Sequence, residues 1–89
     1  MIIESIIIEP YNERKIYNKH KVTTREIKQV LKENAPIYGK VGGEQYMAIG
    51  HYERYVTIFF IYDKETKSAD VQTAYPSSKW QIKLYKRKK

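Results

Sequence analysis

Hydrophobic and polar positions change rhythm twice along this chain. Ile2 to Ile8 is β-branched and interrupted at Ser5, which predicts a strand near a sheet edge, ended by Pro10. Asn12 to His20 is polar, with Tyr11, Ile16 and His20 a helical turn or more apart, and predicts a short helix. Thr23-Thr24-Arg25-Glu26 has the form of a capping box. In that motif a hydroxyl accepts from the backbone at Glu26 and the carboxylate reaches back. Ile27, Val30 and Leu31 follow at i, i+3 and i+4, a stripe suited to lying on a sheet, and Pro36 closes the helical region.

From Ile37 the period shortens to two and the residues become aromatic or β-branched, which predicts antiparallel strands. Gly39 and Gly42-Gly43 read as turns, and strands are expected near Tyr46–Gly50, Arg54–Tyr62 and Ala69–Tyr75, with Asp63 to Lys67 as a hairpin loop. Val56 to Tyr62 is apolar on both alternating sets, the mark of a central strand covered on both faces. Pro76 stops the last strand. Ser77 or Ser78 then caps a helix that is expected to turn Trp80, Leu84 and Tyr85 toward the core and Lys79, Lys83, Lys86 and Arg87 outward. The fold class is therefore α+β, in the order β-α-α-β-β-β-α, with an antiparallel sheet of three to four strands packed by helices.

Composition narrows the function classes. Eighty-nine residues suffice for one domain, read as residues 1–85 with a disordered basic tail at 86–89. With no cysteine and two histidines, neither a disulfide framework nor a metal site is expected, and no cofactor is implied. The apolar runs are too short to cross a bilayer and no basic region precedes them, so a cytoplasmic protein without a membrane partner is expected. Nine tyrosines supply rings with polar tips, suited to a half-buried sheet or to stacking on bases.

Charge is the most uneven property. Residues 71–89 carry six Lys or Arg and no acid, whereas residues 1–70 hold eleven basic and ten acidic side chains, so nearly all of the +7 net charge sits at one end. Such an end is the electrostatic footprint of phosphate binding, which makes a nucleic acid the first candidate partner.

Three stretches together resemble a known family. Lys19-His20-Lys21-Val22, followed by Thr23-Thr24-Arg25-Glu26-Ile27, is similar to the K-H-x-V segment and following helix of BrnT-type toxins, small bacterial ribonucleases of the RelE-like (barnase, colicin and RelE) fold. Glu44 to Gly50 resembles their E-R-x-x-x-I-G strand with Gln45 where an arginine is usual. Thr73-Ala74-Tyr75 resembles their terminal S-A-R tripeptide with tyrosine in place of arginine, and Tyr75-Pro76 the T-x-[FY]-P ending of the broader fold. The resemblance spans about residues 4–86. It implies a metal-independent endoribonuclease toxin of a type II toxin–antitoxin system. Such a protein cuts RNA, most naturally mRNA, free or on the ribosome, to arrest translation, and is neutralised by a protein antitoxin encoded alongside.

Metal-free RNA cleavage uses the ribose 2′-hydroxyl as nucleophile. The protein must remove its proton, protonate the leaving 5′-oxygen and stabilise charge on the phosphoryl oxygens. His20 is the candidate base, because imidazole changes protonation near operating pH. Tyr75 or Lys79 is the candidate acid or phosphate ligand, and Arg54 offers a guanidinium fork. Lys19, Lys21, Thr73, Ser77, Lys83, Lys86 and Arg87 are candidate RNA-binding residues. The same basic end also fits a noncatalytic RNA- or DNA-binding module, or a structural protein made soluble by its charge. Cleavage of bound RNA separates the first reading from the second, and salt-dependent binding separates both from the third.

Overall fold

A computed structural model describes residues 1–89 throughout. The order is β1 (Ser5–Ile7), α1 (Pro10–His20), α2 (Thr24–Lys28) continued by a π-helical turn (Gln29–Glu33), β2 (Ile37–Gly42), β3 (Gln45–Tyr52), β4 (Arg54–Asp63), β5 (Ser68–Pro76) and α3 (Lys79–Lys88). The fold is α+β as expected, with one strand more. Ile37 to Gly42, read as a turn region because of Gly39 and Gly42, is an edge strand paired with β3 from Ile37–Ile49 to Gly42–Gln45. The five strands lie in the order β1-β5-β4-β3-β2. β1 runs parallel to β5, so the sheet is mixed, and β4 is central as its two-sided apolar pattern required.

One face of the sheet carries the core. Val56, Ile58 and Phe60 of β4, Ala48 of β3 and Ala69, Val71 and Ala74 of β5 meet Ile16 of α1, Val22, and Ile27, Val30 and Leu31 of the second helical region, all buried. The i, i+3, i+4 stripe lies on the sheet as predicted. α1 lies beside β5 beyond the end of the short β1, and the Asn12 side-chain amide donates to the Val71 carbonyl at 3.3 Å. Thr23 caps α2, accepting from the Glu26 amide at 3.1 Å. The other half of the expected capping box is absent, because the Glu26 carboxylate turns away to Arg54.

Gly50 is required where β3 passes under the π-helical turn. A β-carbon there would stand 2.7 Å from Val30 Cγ1 and 3.1 Å from Pro36 Cβ. Two sequence expectations for the carboxyl end are corrected. Residues 86–88 belong to α3 rather than to a disordered tail, with the Lys89 amide bonded to the Tyr85 carbonyl at 3.0 Å. Trp80, expected in the core, is 61% exposed, and it is Gln81, 2% exposed, that the helix buries.

Candidate functional site

The register of β4 with β5 decides which side chains share the second sheet face. Phe59 pairs with Thr73 and Phe60 with Val71, so Gln72 is an extra residue in β5, a β-bulge. Side chains alternate along a strand, and one inserted residue reverses the alternation beyond it. Val71 and Ala74 consequently both face the core. Thr73 and Tyr75 emerge on the opposite face beside Phe59 and Thr57.

That face receives the end of α1. Lys21 closes the helix in the left-handed conformation at φ 58°, donating its amide to the Tyr17 carbonyl at 2.9 Å, so the chain turns sharply just after His20. The turn is held from below. Arg54 Nη2 donates to the Lys21 carbonyl at 2.8 Å, while Arg54 Nε and Nη2 grip the two oxygens of Glu26 at 2.6 and 3.1 Å. The hydrogen bond to Glu26 raises the Arg54 pKa further above its ordinary value, against the pull of burial. In this arrangement the His20 ring lies 5.7 Å from the Tyr75 ring, centroid to centroid, at 49°. The two sequence-predicted candidates thus meet on one face, both half-buried, with the Phe59 ring 6.0 Å from that of Tyr75.

Behind Tyr75 lies a polar network that sequence reasoning missed. Gln81 Nε2 lies 3.0 Å from Tyr75 Oη, and Gln81 Oε1 accepts from Thr57 Oγ1 at 2.9 Å and from the Ser78 amide at 2.8 Å. Thr57 and Ser77 hydroxyls are 2.7 Å apart. The signal that could have found it is Ser78-x-x-Gln81, a capping-box spacing at the start of α3.

The other candidates fall into place unequally. Thr73 stands on the Tyr75 face, while the Ser77 hydroxyl pairs with that of Thr57. Arg54, the candidate guanidinium fork, pairs with Glu26 and donates to the Lys21 carbonyl, and it therefore supports the turn that follows His20. Lys19 is exposed in the last turn of α1, Lys79 at the first turn of α3, and Lys83 and Arg87 along α3. Lys21 lies over the Tyr17 ring at 5.3 Å and Lys86 over Tyr55 at 5.9 Å. A wide cleft of about 590 Å³ opens elsewhere, lined by Thr23, Arg25, Glu26, Tyr52, Glu53 and Arg54. His20 and Tyr75 are not among its lining residues.

No family model matches the sequence, and no curated protein matches it. No helix is long and apolar enough to cross a membrane. Among solved structures, the crystal structure of the ribonuclease toxin BrnT of Brucella abortus is similar to this chain with a TM-score of 0.68 at 15% sequence identity, over 84% of this chain and 97% of that one. The chain has the fold of a BrnT-type ribonuclease toxin.

Proposed function

We propose that this protein is a metal-independent endoribonuclease acting as the toxin of a type II toxin–antitoxin pair in the cytoplasm. The observation that carries the reading is the meeting of His20 with Tyr75, from distant parts of the chain, on the face that also carries Thr73. His20 takes the proton of the ribose 2′-hydroxyl as the 2′-oxygen bonds to phosphorus. Tyr75, or Lys79 in its place, gives a proton to the 5′-oxygen as its bond to phosphorus breaks. The product ends are a 2′,3′-cyclic phosphate and a 5′-hydroxyl, and solvent resets both groups. Thr73, Lys19 and Lys79 hold the phosphoryl oxygens, and Lys21, Lys83, Lys86 and Arg87 gather RNA by charge.

The fold shared with a ribonuclease toxin supports the reaction class. The +7 charge suits both a messenger RNA substrate and an acidic antitoxin segment that covers the same face, with fast, salt-dependent association. RNA incubated with the protein in excess chelator should yield cyclic phosphate ends, and co-expression of the protein encoded alongside should relieve growth arrest. RNA that is bound but left whole would favour the noncatalytic module, a reading supported by the run of cations on α3.

A further inference from the structure

We propose that Gln81 is a positioning residue that commits Tyr75 to donate its proton outward, so that Tyr75 serves this site as an acid and not as a base. What the proton is given to rests on the RNA-cleavage reading above. The direction of the hydrogen bonds rests on geometry alone.

An amide side chain has two unlike ends, and one neighbour here identifies them. The Ser78 backbone N–H can only donate, and it lies 2.8 Å from one end of the Gln81 amide, which must be the oxygen. The nitrogen therefore faces Tyr75 at 3.0 Å. An amide nitrogen only donates, so the phenolic oxygen must accept, and its single hydrogen has to point away from Gln81. The same logic runs upstream. Thr57 donates to Oε1 at 2.9 Å, which leaves Ser77 as the donor between the two hydroxyls, 2.7 Å apart.

The chain of donors runs from Ser77 through Thr57 and Gln81 to Tyr75 and then outward. Gln81 is 2% exposed and Thr57 is fully buried, so reversing the amide would set the Ser78 N–H against the amide nitrogen and leave a donor without a partner. Hydrogen bonds in series polarise one another, and here each donor in the series points toward Tyr75. When the 5′-oxygen takes the phenolic proton, the Gln81 N–H is already placed to stabilise the phenolate left behind.

Gln81→Glu tests this, because a carboxylate still accepts from Ser78 and Thr57 but has no N–H for Tyr75. Single-turnover cleavage at saturating RNA should fall about a hundredfold, the usual scale for one acid. On RNA with a bridging 5′-sulfur at the scissile linkage, whose thiolate leaves without protonation, the loss should shrink to a few-fold. In a Tyr75→Phe background Gln81→Glu should cost almost nothing further. Equal loss on both substrates, or additive losses in the double variant, would overturn the proposal. A readout independent of cleavage is the carbon-13 Cζ resonance of Tyr75, assigned by its disappearance in Tyr75→Phe. It should move in Gln81→Glu while those of the other tyrosines hold still. An unmoved resonance would sink the role of Gln81 even if RNA is cut. A moved one with no cleavage by the parent protein would instead sink the reaction and keep the hydrogen-bond direction. Should Gln81→Glu fail to fold, Gln81→Met, which removes the N–H without adding charge, takes its place in every arm.

Discussion

The two faces of the central strand β4 teach different lessons from nearly the same residue types. On one face Val56, Ile58 and Phe60 are fully buried beneath α1, α2 and the π-helical turn. On the other, Thr57 meets Gln81 of α3 through a hydroxyl and an amide, Tyr55 meets the rings of Tyr85 and His51, and Phe59 stands 6.0 Å from Tyr75. The first face is held by apolar packing and has no orientation to defend. The second also buries Ile49 of β3, but it adds donors and acceptors whose directions matter, and it is there that His20 and Tyr75 meet. Stability and candidate chemistry are thus divided between the two sides of one sheet.

Substitutions that confuse the two sides would break this comparison. Phe60→Ala should cost about 3–5 kcal/mol in denaturant unfolding, the usual loss for a core phenylalanine, because its ring packs with Tyr38 and Tyr46 under the helices. A small loss would mean that the helix-covered face is not the main core. His20→Ala and Tyr75→Phe should each lower RNA cleavage about a hundredfold; the unfolding midpoint should barely move in His20→Ala, while Tyr75→Phe, which leaves the buried Gln81 N–H without its acceptor, should cost about 1–3 kcal/mol. If either unfolds the protein and leaves the residual folded fraction fully active, the division fails.

Arg54→Ala probes the support between the two sides. Its own side chain is 41% exposed but that of Glu26 only 11%, so its removal leaves a largely buried carboxylate without a partner and should cost about 1–3 kcal/mol. Cleavage should also weaken, because the Lys21 carbonyl that follows His20 loses its anchor. Unchanged cleavage would show that the His20 turn holds itself.

Smaller effects sharpen the picture. Replacing Lys83, Lys86 and Arg87 by Gln keeps α3 intact, unlike a truncation at residue 86 that would remove its last turn. The slope of RNA affinity with salt should flatten by about 0.7 for each phosphate of a single strand that is no longer neutralised, with the single-turnover rate at saturation unaltered. On the core face, burial and then the neighbouring Tyr62 raise the Tyr38 pKa above its ordinary value. An acid whose folded pKa is raised contributes stability that is complete below its unfolded pKa, about 10, and is lost as pH climbs through the folded one. Tyr38→Phe should therefore flatten the fall in Tm above about pH 10 and change little at neutral pH.

Local pattern is enough for most elements. The hydroxyl at Thr23, the stripe Ile27-Val30-Leu31, the two-sided apolar run of β4 and the stop at Pro76 each act within a few residues, and each is found where its chemistry required. β2 is hidden from such a reading because Gly39 and Gly42 look like turns, while in the sheet Gly39 simply lies across from Met47 and Gly42 sits at a register shift. Size alone would put Trp80 in the core. Instead the buried position of α3 goes to Gln81, because Thr57, Tyr75 and the Ser78 amide together satisfy its amide.

What the sequence determined by itself was the α+β class, the central strand, the concentration of positive charge after Val71 and the candidacy of His20 and Tyr75. What only the tertiary structure decided was which way those candidates point. Strict alternation from Ala69 would send Val71, Thr73 and Tyr75 to one face, into the core. The extra residue at Gln72 turns Thr73 and Tyr75 to the other side, and Arg54, distant in sequence, fixes the turn that follows His20. A bulge is a property of two strands in register and an ion pair of two segments brought together, so neither can be read from one segment alone.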